Sequence, residues 1–374
     1  MLYGCAVRVP SSIFFAFRDS PQRRSALRTP AGSAERYSLF GLDEVAARGV
    51  RVSHNLEPPG RKAWWARLAG AAINRALYAS GGYGGDFASV LGSLRRANAA
   101  DVIFSTVDTL GIPLILLKRV GLVRRPLVYV SIGLPERLVQ LRNRPMRRLY
   151  RSALRGASAV VAYSEHEAAA LRDWLGPGGP EVVFVPFGVD VDAFRPVEAA
   201  DQDFDVLSVG VDPRRDFELL LAIAERNPEL IFRIVAGADR ARSLGRLPDN
   251  VTLETDIPLE QVRLRLAASR CVALPVRDNS YSGATTTLLQ AMAMGKPVIV
   301  SRTVAIAEGY ELEDRDNCRL VEPGDEQAFE RAVLETLTGA AAARALGSRA
   351  RQTVERSFSW ERFTGALWEV LSRS

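Results

Sequence analysis

Lysine is almost absent from this 374-residue sequence. Only three of its 49 basic residues are lysines, so arginine carries nearly all of the positive charge. Cys5, Cys271 and Cys318 are far apart and odd in number, which gives no metal-ligand spacing and predicts buried, reduced thiols as in a cytoplasmic protein. Neither histidine, His54 or His166, has ligand-like neighbours, which argues against a histidine-based metal or catalytic centre.

Long hydrophobic runs are also missing. No stretch approaches the roughly 18 apolar residues that cross a bilayer. The apolar tract SSIFFAF near the start follows Arg8 and precedes no small-residue cleavage site, so it predicts a first β-strand over residues 13–17 rather than a signal peptide. With 47% hydrophobic and 25% charged residues, the composition is that of a soluble globular protein, and the length predicts two domains.

The net charge of +6 is unevenly distributed. Residues 119–155 contain many arginines and a single acid, Glu136. Nucleic acid and an anionic membrane are the two partners that suit such a patch. Interleaved aromatic residues and a nucleic-acid-binding module are both missing, so we expect no nucleic-acid partner. A solvated helix face is the plain alternative, and residues 137–155 are predicted to form one basic helix. An amphipathic helix with Trp64 and Trp65 is predicted over residues 61–79.

Apolar strand-like runs alternate with helical patterns along both halves of the chain. This alternation predicts α/β domains, each with a parallel sheet covered on both faces. In the first half, a polar arginine-rich loop over residues 18–30 follows the first strand. One helix carrying Tyr37, Leu39, Leu42 and Val45 then ends at Gly49. Ligands are expected at the carboxyl ends of the strands.

The most informative stretch covers residues 281–300, YSGATTTLLQAMAMGKPVIV. A polar loop leads into a helix from about Ala284, Gly295 ends the helix, and a buried strand follows. The first N–H groups of a helix are unpaired and lie at the positive end of its dipole, so a small residue such as Gly283 lets a phosphate approach them. An ordinary helix start after a glycine turn is the alternative interpretation.

Two strings in this stretch, QAMA at residues 290–293 and GKPV at residues 295–298, carry a family resemblance. They resemble the signature of the large GT-B glycosyltransferase family typified by sucrose synthases and phosphatidylinositol mannosyltransferases. PFGVD at residues 186–190 is similar to the segment that ends the family's first domain. The resemblance implies an α/β, GT-B fold, in which two Rossmann-like parallel-sheet domains face each other across a cleft. The expected domains are an acceptor domain (1–197), a donor domain (198–357) and a C-terminal helix (358–374) that crosses back to the first domain.

The resemblance also implies a donor site without metal, in which Arg215, aided by Arg214, neutralises the donor diphosphate. Arginines at a helix start are unfavourable with the dipole unless an anion is present, which independently favours a ligand. Two family glutamates are replaced, by Ser282 and Gln290, and Asp278 is a candidate to take over the first contact. The residues with implied catalytic roles are Arg215, Asp278 and Ser282. The residues with implied donor-binding roles are Arg214, Arg215, Asp256, Ile257, Gly283, Ala284, Thr285 and Gln290.

The expected activity is transfer of a sugar from a UDP- or GDP-sugar, used as co-substrate without another cofactor, to a sugar or lipid-linked acceptor. The basic patch and the tryptophan helix suggest contact with an anionic membrane, such as the inner face of the plasma membrane. Two alternatives stay open at this point. The altered glutamates also suit a nucleotide-sugar-binding protein without transferase activity, and a sugar-nucleotide epimerase has a similar fold.

Overall fold

The computed structural model describes residues 9–56, 64–141, 143–197, 203–281 and 283–374. These residues form two compact units. The first contains the described residues up to Val185 together with Thr364–Ser374, and the second is Pro186–Phe363. The domain boundaries expected at residues 197 and 357 stay predictions.

The first unit is built on a parallel sheet. Its described strands are β1 (Ser12–Ala16), β2 (Arg51–His54), β3 (Val102–Ser105), β4 (Leu127–Ser131), β5 (Ala159–Ala162) and β6 (Glu181–Phe184). Their order across the sheet is β2-β1-β3-β4-β5-β6. Strands β1, β3, β4 and β5 are buried along their whole length, because their continuous apolar runs meet helices on both faces of the sheet.

Helices connect these strands. They are α1 (Pro21–Ala26), α2 (Leu42–Ala47), α3 (Trp64–Ala79), α4 (Phe87–Ala99), α5 (Asp108–Arg119), α6 (Leu134–Gln140), α7 (Arg144–Leu154) and α8 (Glu165–Leu175), with a 3₁₀ helix at Ala34–Leu39. Among the residues that the structure describes, no helix combines the length and the apolar character needed to cross a bilayer.

The segment after β1 differs from the expectation of a loop followed by one helix. The expected loop contains α1, because the Ser20 side chain accepts a hydrogen bond from the Arg23 N–H and Pro21 lies in the first turn. The expected single helix is divided into the 3₁₀ helix and α2. Phe40 and Gly41 separate the two, since both are left-handed, with φ of 51° and 80°.

The prediction of one basic helix over residues 137–155 was also wrong. The structure has α6 and α7 there, and Leu141 leaves the helical region with ψ of 93°. Pro145 lies in the first turn of α7, the part of a helix where proline costs no backbone hydrogen bond. In the interior of one continuous helix, the same proline would have removed a backbone hydrogen bond and kinked or broken the helix.

The second unit repeats the architecture. Its described strands are β7 (Phe204–Gly210), β8 (Phe232–Ala236), β9 (Val251–Thr255), β10 (Ser269–Leu274), β11 (Val298–Ser301) and β12 (Arg319–Val321). Its helices are α9 (Phe217–Arg226), α10 (Ala238–Ser243), α11 (Leu259–Ala268), α12 (Thr285–Ala293), α13 (Val304–Ala307), α14 (Glu326–Thr338) and α15 (Ala340–Ser357). The strands are parallel in the order β12-β11-β10-β7-β8-β9. The expected pair of Rossmann-like parallel-sheet domains is confirmed.

The GKPV string has a structural role in this unit. The Lys296 ammonium donates to the carbonyls of Ala267 and Ser269 at 2.6 and 2.8 Å, which satisfies carbonyl groups at the end of α11. Gly295 lies against α15, where a Cβ added at Gly347 would lie 2.0 Å from the Gly295 carbonyl oxygen. The string therefore packs α11 and α15 around the strand β11.

The last helix, α16 (Trp360–Ser372), begins in the second unit and continues in the first from Thr364. Within the first unit, Leu367, Val370 and Leu371 are at most 3% exposed. A Cβ at Gly41 would lie 3.2 Å from the Thr364 methyl group, so this helix packs directly against the left-handed turn before α2.

Candidate functional site

The loop that follows β7 brings Arg215 to the carboxyl edge of the second sheet. Arg215 N–H donates to the Asp212 carbonyl at 3.1 Å, and Asp216 N–H donates to the Pro275 carbonyl at 3.0 Å. Because β7 and β10 are neighbours, this loop lies beside the loop after β10. The guanidinium folds back over Gly210, where an added Cβ would lie only 2.3 Å from Arg215 Nε. Glycine at the end of β7 thus makes room for the arginine.

Arg215 is a buried cation without a hydrogen-bond partner for two of its nitrogens. The residue is 1% exposed, and neither Nε nor Nη1 has a partner among the described residues. Burial lowers the pKa of Arg215 to about 10, although the nearby Asp212 and Tyr281 act in the opposite direction. The group is still charged at neutral pH. A buried charge with unsatisfied donors costs free energy, and a bound anion would remove that cost.

Asp212 and Tyr281 complete the surroundings of Arg215. The Tyr281 hydroxyl donates to Asp212 Oδ1 at 2.7 Å, and the Arg214 N–H donates to the same oxygen at 2.7 Å. A Cβ at Gly283 would touch both Tyr281 and Asp212, at 3.4 and 3.5 Å. The structure therefore brings Arg215 and Gly283, two of the expected site residues, to one place, together with Asp212 and Tyr281.

Helix α12 begins immediately after this loop. Its N-cap, Ala284, is left-handed with φ of 71° and offers no side-chain acceptor to the first-turn N–H groups. An N-cap serine or aspartate would normally satisfy one of those donors. Gly283, Ala284 and Thr285 are all buried, so this helix start is in a largely desolvated setting. Its dipole and donors suit a phosphate group.

The remaining expected residues of the loop are not all at the centre of this site. Arg214 and Asp278 are exposed, Arg214 beside Asp212 and Asp278 on the loop after β10. Ser282 lies outside the described residues. The structure describes no contact that would give Asp278 a catalytic role.

Three other expected residues lie farther from Arg215. Asp256 and Ile257 lie along the carboxyl edge of the second sheet, and Gln290 lies along α12. Asp256 and Ile257 follow β9, the outermost strand, and Asp256 Oδ2 accepts a hydrogen bond from Ala238 N–H at 3.3 Å. The loop after β8 contacts the loop after β7, because a Cβ at Gly237 would lie 3.5 Å from the Val211 side chain. Gln290 is 5% exposed on the buried side of α12, about 8 Å along the helix axis from its first residue.

A second group of polar residues lies at the carboxyl edge of the first sheet, and the sequence reasoning missed its two acids, Asp108 and Glu167. Ser131 ends β4, and its hydroxyl donates to Glu167 Oε1 at 2.6 Å, while Gly133 N–H donates to the same oxygen at 2.7 Å. Tyr129 donates to Asp108 at 2.5 Å. Both carboxyl groups are fully buried or nearly so, at 0 and 2% exposure.

These two acids have raised pKa values for the same physical reason. Burial raises the pKa of Asp108 to about 7 and the pKa of Glu167 to about 8, and the charge of Asp108 contributes to the second shift. Glu167 Oε2 has no hydrogen-bond partner among the described residues. The sequence signal was the acid three residues after Ser164, which predicts only a helix start.

Family models match both units of the chain. The model for "Glycosyl transferases group 1" matches residues 192–339, and the model for "Glycosyl transferase 4-like domain" matches residues 16–188. An MMP α-(1→4)-mannosyltransferase of Mycolicibacterium hassiacum is 27% identical over 187 residues, which are 47% of this chain and 44% of that protein. A D-inositol 3-phosphate glycosyltransferase of Nocardiopsis dassonvillei is 24% identical over 193 residues, 42% of this chain and 43% of that protein. The chain spans less than half the length of these relatives.

Solved structures resemble the whole chain. A sucrose-phosphate synthase from Thermosynechococcus elongatus has a TM-score of 0.71 and 19% identity, covering 96% of this chain and 98% of that one. The Anabaena protein HepE in complex with UDP and glucose has a TM-score of 0.68 and 16% identity, covering 97% of this chain and 100% of that one. At these identities the likeness shows the fold. From the two family models, which together run from residue 16 to residue 339, the chain belongs to the group 1 glycosyltransferases, with a glycosyl transferase 4-like first domain.

Proposed function

We propose that this protein transfers a sugar from a nucleoside-diphosphate sugar, with UDP or GDP as the nucleotide, to an acceptor. The observation that carries the proposal is the buried Arg215 guanidinium, which has unused donors beside the start of α12. The departing nucleoside diphosphate gains negative charge as the glycosidic bond breaks. A cation and helix N–H groups already held in position stabilise that charge without reorganising.

The proposed roles of the other residues combine this placement with the family resemblance, on which the roles of Asp278 and Ser282 rest alone. Gly283, Ala284 and Thr285 would donate N–H or hydroxyl groups to the diphosphate, and Arg214 would add charge at the rim. Gln290 would bind the ribose, and Asp256 and Ile257 would line the nucleobase pocket. Asp278 and Ser282 would contact the sugar. HepE, a structural relative, binds UDP and UDP-glucose, which supports a nucleotide-sugar donor.

The test is calorimetric titration of the purified protein with UDP and with GDP. We expect one nucleotide to bind, and Arg215→Gln to weaken binding by about tenfold or more, because charge-assisted hydrogen bonds are lost. Arg226→Gln is the matched control, since Arg226 ends α9 and pairs with Glu326 and Glu330 at the surface. Equal binding by wild type and Arg215→Gln, or none by wild type, would contradict the proposal. Binding without turnover on any acceptor would favour a non-catalytic protein.

We also propose that the acceptor is presented at an anionic membrane surface, which the first unit contacts through α3 and α7. The outward face of α3 carries Trp64, Leu68 and Tyr78, exposed to 73, 62 and 62%. Its outward charges are arginines, and α3 contains no acidic residue. An exposed face that combines aromatic rings with arginines is typical of a helix in the bilayer interface.

Helix α7 supplies positive charge next to α3. The Asn143 side chain before α7 donates to the Ser80 carbonyl just after α3 at 3.3 Å, and Tyr83 N–H donates to the Tyr150 hydroxyl at 3.0 Å. Arg144, Arg147 and Arg148 are exposed, and none of their side chains makes a hydrogen bond or ion pair with a described residue. Such arginines each contribute about 1 kcal/mol at an anionic surface.

Flotation with phosphatidylglycerol vesicles and with phosphatidylcholine vesicles tests this proposal. We expect the wild type to float with the anionic vesicles, and Arg147→Glu/Arg148→Glu or Trp64→Ser/Leu68→Ser to abolish flotation. Arg95→Glu/Arg96→Glu on α4 changes the net charge by the same amount and is the control. Flotation that is equal with both lipids, or unchanged in the first two variants, would refute a specific membrane surface.

A further inference from the structure

Arg23, a half-buried arginine of the first unit, has no acidic partner among the described residues. The chain between β1 and α2, residues 17–41, is here called the arginine segment. It contains Arg18, Arg23, Arg24, Arg28 and Arg36. Two of these have carboxylate partners, since Arg24 pairs with Asp19 at 2.6 Å and Arg36 pairs with Asp43. Arg23 pairs with no carboxylate among the described residues.

Arg23 is instead held by neutral groups. Its Nε donates to the Ser38 carbonyl at 3.1 Å, and its Nη1 donates to the Arg18 carbonyl at 2.8 Å. The guanidinium lies over the ring of Phe40, 5.5 Å from its centroid. Its Nη2 makes no hydrogen bond to a described residue. These contacts fix the orientation of the guanidinium and leave one of its nitrogens unused.

The charge of Arg23 is partly removed from water and lies near a second cation, Arg18. Burial lowers the pKa of Arg23, and the neighbouring charge of Arg18 lowers it further, while Tyr37 and Tyr163 act in the opposite direction. Arg18 is exposed and makes no ion pair with a described residue. Two adjacent cations, one of them half-buried, are a combination that an anion would stabilise.

The position of this pair is that of a ligand site. The arginine segment follows β1, and Tyr163 follows β5, so both lie at the carboxyl edge of the first sheet. Phe40 stacks on Tyr163 with a centroid distance of 6.3 Å, which fixes the arginine segment across that edge. In open parallel sheets, ligands bind at this edge. Ser131 and Glu167 lie along the same edge, at the end of β4 and after β5.

We propose that Arg23 and Arg18 bind a phosphate group of the acceptor at the carboxyl edge of the first sheet. A dianionic phosphate matches a pair of arginines better than a single carboxylate does, because it accepts hydrogen bonds from both guanidinium groups. The identity of the phosphate as part of the acceptor rests on the proposed transferase function. Phosphate binding at Arg23 and Arg18 does not rest on that function, so the phosphate site and the transferase function can fail separately.

Inorganic phosphate is the first probe, measured as the rise in thermal transition temperature at constant ionic strength with chloride as reference. Saturating UDP or GDP, whichever binds, occupies the donor site beforehand. We expect Arg23→Gln to weaken phosphate binding by about tenfold or more, and Arg18→Gln to weaken it less. Arg24→Gln is the matched control and should respond like wild type, because its partner is Asp19. Arg23→Lys should keep part of the response, which guards against a folding defect in Arg23→Gln.

The source of the phosphate is decided by two further arms. An Arg23-dependent rise in the thermal transition temperature with glucose 6-phosphate assigns a soluble sugar phosphate. Arg23-dependent flotation with phosphatidylinositol vesicles assigns a lipid phosphate. A phosphate response that is the same in Arg23→Gln as in wild type overturns the proposal, as does wild type without any response. Nucleotide binding is read separately in each variant. Its absence in wild type would overturn the transferase function and leave the phosphate site standing.

Discussion

At the scale of single residues, Arg215 is a proposed binding group whose buried charge would weaken the unliganded fold. Its charge is buried and two of its donors are unused. Replacing such a group by an apolar side chain of similar length removes the desolvation cost. We therefore predict that Arg215→Met raises the stability of the free protein by about 1–3 kcal/mol and abolishes nucleotide binding. Chemical denaturation and calorimetry on the same preparation measure both. A variant less stable than wild type would show that Arg215 already has a partner.

Glu167 makes a prediction about pH. Its folded pKa of about 8 lies above the ordinary value of 4.5 for glutamate, so the folded state holds a proton that the unfolded state has released. The resulting stability is fully present below about pH 4.5 and is lost as the pH rises through 8. Stability should therefore fall by at most about 1.4 kcal/mol per pH unit in this window.

Glu167→Gln tests this pH dependence. The variant should be less stable than wild type at pH 5, and this difference should disappear or reverse at pH 9, where wild type has lost stability. Urea unfolding at both pH values measures the difference. Asp108 has a raised pKa of about 7 and gives the same trend, so some dependence remains in the variant. An unchanged pH profile would mean that Glu167 is ionised in the folded protein throughout.

At the scale of elements, the contact between α15 and the turn at Gly295, just after α12, depends on glycine. A Cβ at Gly347 would lie 2.0 Å from the Gly295 carbonyl oxygen and 2.9 Å from its carbon, and both are backbone atoms that cannot move aside alone. Gly347→Ala should cost about 1–3 kcal/mol in spite of the better helix propensity of alanine.

Gly92→Ala in α4 is the control for this prediction. Its Cβ would meet nothing within 4 Å, so it should gain up to about 1 kcal/mol. Thermal or urea unfolding of the two variants gives the comparison. If both variants gain stability equally, α15 and the turn at Gly295 are not in close contact.

The elements also show what the sequence could predict. The parallel sheets followed from the alternation of strand-like apolar runs with helical patterns, and the start of α12 followed from Gly283 and Ala284. The break at Phe40 and Gly41 was missed because a left-handed phenylalanine has no local signature, and its ring is fixed by stacking on the distant Tyr163. The break before α7 has a local signal, because Pro145 favours the first turn of a helix over its interior.

The candidate site was predictable to a lesser extent. Arg215 and the start of α12 were expected from the family resemblance. For Arg215, the unfavourable positive charge of Arg214 and Arg215 at a helix start gave a second reason. The Asp212–Tyr281 contact spans 69 residues, and the Ser131–Glu167 contact spans 36. Such pairs depend on which strands become neighbours, which no local pattern reveals.

At the scale of the whole molecule, the C-terminal helix belongs to both units along its length. Residues Thr364–Ser374 are part of the first unit, and three of their apolar side chains are buried there. Each buried side chain of this kind contributes roughly 1.5–3 kcal/mol. We predict that deleting residues 364–374 speeds amide exchange in α2 and around Gly41, far more than in the second sheet. Deleting only residues 373–374 is the control. Uniform faster exchange in both units would contradict this division of the helix.

The unused hydrogen-bond donors of Arg215 have a consequence for the lifetime of the protein in a cell. A ligand that relieves a buried charge raises the folded fraction by mass action, and proteases act on the unfolded fraction. Protein that has bound the proposed nucleotide-sugar donor would therefore be degraded more slowly than protein without it. Through this one guanidinium, the amount of enzyme would follow the supply of activated sugar without any dedicated regulator.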